Sequence, residues 1–172
     1  MSDTILTLAM AGFPPFNLTQ VEQELRPVVQ ESVRRSVNGS LQDTSWNGWQ
    51  KFDSVITGNG ALPPAFGGLW PGMTVVVGCI LPLTEQLSGS SSKTLAKAPV
   101  AGSLYAVDSN GSAIGVSSLI GQVLTLNSFS GTATIIYRPS LTMRVVDWRL
   151  MAKEAARGQR PQANWRLELS EI

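Results

Sequence analysis

The chain has 172 residues, of which 43% are hydrophobic and only 15% charged, with a formal net charge of +1. Soluble domains usually carry about 25% charged residues, so part of this exterior is either covered by another molecule or built from neutral Ser, Thr and Gly. The absence of histidine excludes a Ser-His-Asp triad, a Cys-His pair and any His-ligated metal, and the near-zero balance argues against general nucleic-acid binding, which needs a clustered basic face.

The length suits one domain, or one domain with an insertion, and a single β-domain over residues 1–172 is expected. The first residues, MSDTILTLAMAGF, lack a positive leader ahead of an apolar core, so no signal peptide is expected. No apolar run reaches about 18 residues, so no membrane span is expected either.

Residues 4–10, TILTLAM, alternate with Leu6, Leu8 and Met10 on one side, which is a strand period. Pro14 and Pro15 stop that strand. In residues 20–31, Val21, Leu25, Val28 and Val29 fit a helical stripe, but Pro27 forbids a continuous helix, so extended structure is expected. Next comes SVRRSVNGSLQD, residues 32–43. Asn38-Gly39 tolerates the positive φ of a type I′ turn and predicts a β-hairpin pairing Arg35 with Gln42. The arginines Arg34 and Arg35 then face water, an acidic neighbouring subunit, or a phosphate.

Trp46 and Trp49 precede a short strand, FDSVIT, that begins at Phe52; aromatics beside a turn form a core lid more often than a ligand platform. Trp70-Pro71-Gly72-Met73 has the Pro and Gly of a type II turn. Thr74 to Leu81 is a continuous apolar run, expected as a strand buried on both faces or central in a sandwich. Cys79 within it, with no histidine to activate it, reads as a small hydrophobe rather than a nucleophile.

The Ser/Gly-rich stretch at about 84–98 predicts a flexible excursion. LYAVD and the turn Ser109-Asn110-Gly111-Ser112 follow, then strands over 122–128 and 132–138. Leu141, Met143 and Val145 alternate in another strand. After Trp148, RLMAKEAAR consists of good helix formers closed by Gly158 and predicts one short helix. A last strand, with Trp165, Leu167 and Leu169 on one face, is expected to pair with 141–148.

Chemistry is scarce. Acidic residues are scattered, and no pair points to a carboxylate hydrolase. AFGG and GTAT lack the Lys and spacing of a phosphate loop. Ser90-Ser91-Ser92-Lys93 matches S-x-x-K formally, but that chemistry needs a dry helix start, and here both groups sit in a polar loop. No enzyme activity and no cofactor are expected.

RRSVNGSL, NGALPPAFGGLWPGMTVVVGCI, YRPSLTMRVVDW and WRLELSEI together resemble, over roughly residues 30–172, the structural proteins encoded in the tail-gene regions of tailed bacteriophages. The resemblance is one of type: small, cysteine-poor, low-charge β-proteins with Gly/Pro/Trp-rich connections. No motif matches position by position, so no functional residue is carried over. It implies a mainly β chain, an antiparallel β-sandwich or β-barrel, present in many copies in the virion. The implied role is a tail-tip or baseplate ring subunit, whose partners are copies of itself and neighbouring phage structural proteins. Alternatives are a head-decoration or head-tail connector protein, or a carbohydrate- or receptor-binding module. Interface cores favour aromatics and Arg, which makes Arg34, Arg35, Trp46, Trp49, Phe66 and Trp70 the contact candidates, with core packing the competing explanation for each aromatic. The segments Leu62–Met73 and Ser88–Lys97 are candidate contact elements.

Overall fold

The computed structural model describes residues 7–8, 21–28, 33–43, 50–60, 65–153 and 162–172. Among these the chain is β throughout, apart from a 3-10 turn at Phe66–Gly68. Six strands form the largest sheet: β1 (Thr7–Leu8), β2 (Val21–Pro27), β5 (Phe52–Gly60), β6 (Thr74–Gly78), β15 (Pro139–Lys153) and β16 (Gln162–Glu171), with the two-residue β9 (Ala98–Pro99) beside the start of β15. Its order is β1-β6-β15-β16-β5-β2 and every pairing is antiparallel.

The expected C-terminal pair is present. β15 and β16 run from Met143 opposite Glu171 to Lys153 opposite Gln162. Trp165, Leu167 and Leu169 are buried, and Arg166 faces out. The segment with Pro27 is extended, as expected, and forms the edge strand β2, where Pro27 closes the ladder opposite Phe52.

The expected helix is not there. Arg149–Lys153 continues β15, and the remainder of that stretch, 154–157, lies outside the described residues. The reason is pairing with β16, which overrides the helix propensity of these side chains; just upstream lies a bulge between Val145 and Asp147. The extra residue, Val146, shifts the phase of the strand, so Val145 and Trp148 both turn to the core at a spacing of three. β6 also departs from expectation. It ends at Gly78, and it is buried on one face only: Val75 and Val77 are 1% and 0% exposed, whereas Val76 is 43% exposed.

The sheet curls into half a barrel. Ile56, Leu69, Val75, Val77, Leu141, Met143, Val145, Leu167 and Leu169 fill its concave side, each apolar side chain of this size contributing about 1.5–3 kcal/mol on burial. One polar clasp closes the curl. Gln23 on edge strand β2 donates to Ser54 Oγ at 3.0 Å, and its Oε1 accepts from the Ile80 amide at 2.9 Å. Ile80 follows β6, at the far side of the sheet order, so β2 and the end of β6 are brought together.

Between β6 and β15 lies a second unit with its own core. It comprises β7 (Leu83–Ser88), β8 (Ser92–Thr94), β10 (Tyr105–Val107), β11 (Ala113–Ile114), β12 (Val116–Ile120), β13 (Val123–Leu126) and β14 (Thr132–Tyr137). They form two sheets, β11-β10-β14-β7 and β12-β13-β8. Leu87, Ala106, Ala133, Ile135 and Tyr137 from the first meet Leu124 and Leu126 from the second, with Leu95. The Ser/Gly-rich stretch at 84–98, read from sequence as a loop, therefore contributes strands β7, β8 and the start of β9, with a turn at Gly89 (φ 72°) between the first two.

The hairpin at 33–43 forms β3 (Val33–Arg35) and β4 (Leu41–Asp43), but one residue out of the expected register, with Arg35 opposite Leu41. Gly39 N–H bonds to Ser36 C=O at 2.8 Å, and Ser36 N–H to Ser40 C=O at 2.9 Å, with Gly39 at φ 76°. That is a three-residue loop closed by a left-handed glycine, in place of the two-residue type I′ turn.

Candidate functional site

Of the six contact candidates, Trp46 and Trp49 lie outside the described residues. Phe66 is a core residue. The 3-10 turn lays its ring on Trp148, with centroids 4.8 Å apart and planes 2° apart, and edge-on to Trp165 at 5.8 Å. Trp148 Nε1 then donates to Leu69 C=O at 2.7 Å. The segment 65–69 is thus a lid held by two tryptophans from β15 and β16, and the core-packing explanation holds for Phe66.

Trp70, one residue past that lid, is the reverse. Its turn forms as expected, with Met73 N–H bonded to Trp70 C=O at 3.1 Å and Gly72 at φ 93°. Gly72 N–H and Met73 C=O bond to Val145, tying the turn to β15 and leaving the Trp70 side chain 64% exposed. Arg34 sits opposite Gln42 in the β3–β4 ladder. Arg35 is exposed, and its Nη1 donates to Gly39 C=O at 3.2 Å, bracing its own turn. The candidates sit on different elements: Arg35 is on a separate two-stranded sheet, and Trp70 is in the turn that leads into β6 of the large one.

Ser90 and Lys93 do not form a catalytic pair. Ser90 Oγ bonds to Ser92 C=O at 3.1 Å in the exposed turn. Lys93 is ion-paired with Glu85 Oε2 at 3.0 Å and donates to Gln86 C=O at 2.7 Å. Glu85 Oε1 also accepts from Tyr137 Oη at 2.6 Å and from the Ala96 amide at 2.9 Å. Burial pushes the Glu85 carboxyl up, but these hydrogen bonds and the Lys93 charge together hold it below its ordinary value. Burial and the same carboxylate raise the Tyr137 phenol far above its usual range. Next to this network Lys97 pairs with Glu171, the last residue of β16, whose Oε2 accepts from the Phe52 amide at 2.9 Å. This cluster is a joint between the two units.

Cys79 is fully buried, and burial pushes its thiol up to about 11; such a group is inert as a nucleophile at neutral pH. A cleft of about 450 Å³ lies beside it in sequence, lined by Ile80, Pro82, Gly102, Ser103, Tyr105, Ile136 and Arg138. Arg138 Nη1 is buried with no hydrogen-bond partner among the described residues. An acceptor or anion entering from outside is the chemistry this group lacks.

The sequence reading missed β12. All five of its residues are exposed, including Val116, Leu119 and Ile120. A signal for it existed: Ser109 to Tyr137 contains no Asp, Glu, Lys or Arg. No protein-family model matches the chain, and no curated protein matches it.

Proposed function

We propose that this chain is a structural subunit of a bacteriophage virion, a tail-tip or baseplate ring component that docks against copies of itself and against other tail proteins. The reading rests first on the resemblance of type noted above. The observation that carries it furthest is an exterior poor in charge with apolar side chains left exposed: Trp70, Val76, Val146, Met151 and, on β12, Val116, Leu119 and Ile120. Exposed apolar area of this kind belongs to surfaces that meet a partner. The two small sheets facing one core are read as a compact sandwich, a rigid arm carried by the curled sheet. The orphaned Arg138 nitrogen fits a carboxylate from a neighbouring subunit. A closed ring needs head-to-tail contacts, in which two different patches of each copy meet. Negative-stain imaging or mass photometry of the purified chain tests this: rings or higher assemblies are expected, and particles no larger than a dimer overturn it.

The exposed Trp70 favours a second reading, a carbohydrate- or receptor-binding module in which the indole stacks on a sugar ring. Glycan affinity of the isolated chain that disappears in Trp70→Ala supports that reading instead.

A further inference from the structure

We infer that the edge of β12, unpaired among the described residues, pairs with β12 of a second copy of this chain, antiparallel and about a twofold axis.

Strand edges expose unpaired N–H and C=O groups, and proteins guard them with charge, proline or cover. Two other edges of this molecule are guarded. β2 carries Glu22, Glu24 and Arg26 and ends in Pro27. β8, the opposite edge of the same small sheet as β12, carries Lys93 at its centre, paired to Glu85. β12, Val-Ser-Ser-Leu-Ile, has none of these, and the only irregularity is a bulge between Val116 and Ser118.

The core is also open on this side. Sheet β12-β13-β8 has three strands facing the four of its neighbour. Leu119 and Val116 stand opposite Leu124 and Leu126, which are 0% and 2% exposed, yet are themselves 41% and 40% exposed. One further strand beside β12 extends the sheet to four and covers that rim.

Charge identifies the occupant. In a twofold contact each residue meets its own kind or a near neighbour, so any net charge on the edge opposes association. The run from Ser109 to Tyr137 is uncharged, which makes the surface complementary to itself and offers a charged partner nothing to pair with. A twofold contact closes at two copies, so it is separate from the head-to-tail contacts of a ring and stands whether or not the virion reading does.

In full overlap Ser118, the middle residue, faces its own symmetry mate. Adjacent strands hold opposite Cα atoms about 4.5–5.5 Å apart, within disulfide reach, and the native Cys79 is buried. Oxidised Ser118→Cys is therefore expected to give a covalent dimer. Sedimentation of the unmodified chain at micromolar concentration is expected to show dimers, or even-numbered assemblies. Ser118→Lys/Ile120→Lys and Ser118→Glu/Ile120→Glu should each weaken self-association roughly tenfold or more, and an equal mixture should restore it as heterodimers. That rescue excludes misfolding as the cause. Monomers throughout, an interface unmoved by both charged variants, or no disulfide-linked dimer from Ser118→Cys overturns the inference. Loss of rings with dimers retained counts against the ring alone.

Discussion

Gly58 on β5 stands directly opposite Trp165 on β16, and the indole occupies the space where a side chain at Gly58 would be. A Cβ built there lies 2.3 Å from two carbons of the Trp165 ring. Because that ring also meets the edge of Phe66, its position is fixed from both sides. Gly58→Ala is expected to cost about 1–3 kcal/mol through overpacking, read as a lower urea midpoint. In a Trp165→Leu background most of that penalty should vanish, since the two changes share one space.

Gln23 is the polar clasp of the curl. Gln23→Leu keeps the volume roughly but strands the Ile80 amide and the Ser54 hydroxyl, both held by the Gln23 side chain. The expected loss is about 1–3 kcal/mol. Hydrogen exchange should locate it, with faster exchange at Ile80 and along β2 and little change in the second unit.

Acid sensitivity should be partly traceable to Glu85. Its folded-state carboxyl is held below the ordinary 4.5, so its contribution is complete above that value and is lost as pH falls through the lower folded one. Glu85→Gln is expected to be less stable at neutral pH and to show a shallower decline on the acid side of 4.5. Thermal midpoints across that range, against the unmodified chain, check this.

Thiol reagents should reach Cys79 only when the core opens. The side chain is fully buried, with a thiol titrating near 11. Labelling is expected to be slow in buffer and rapid in denaturant, at a rate that follows unfolding. Prompt modification of the native protein contradicts this.

Arg138→Met should leave the isolated chain as stable or raise its melting point. The change removes a buried donor that has no partner among the described residues, and such a group costs about 1–3 kcal/mol. If a neighbouring carboxylate does fill the cleft in the assembly, the same variant should weaken assembly.

Strand identity was legible in the sequence wherever alternation ran undisturbed, as in β16, or where turn chemistry was explicit, as at Pro71-Gly72. It failed where one residue broke the phase. Val146 bulges out of β15, after which Arg149 to Lys153 carry helix-forming side chains in a strand; tertiary pairing with β16 overrides their propensity. The hairpin at Asn38-Gly39 was visible, but a three-residue loop and a two-residue loop share the same Asn-Gly signal, so the register was not. Phe66 and Trp70 are four residues apart and equally aromatic. Contacts with Trp148 and Trp165, contributed more than 80 positions along the chain from Phe66, separate a core residue from an exposed one. β12 was overlooked because its neutrality is an absence, and motif reading searches for what is present.

The amide of Cys79 bonds to the carbonyl of Pro139 at 2.9 Å, so the chain leaves the curled sheet and re-enters it through one gate, with a brief return at β9 between. Everything from Ile80 to Arg138 is suspended from that gate, steadied by the Lys97–Glu171 pair and the short β9. To the strands on either side, this excursion is topologically a hairpin turn, whatever its length. The unit is therefore a long insertion between two strands that already meet, and β9 and the Lys97–Glu171 pair are the joints through which it bears on the host sheet.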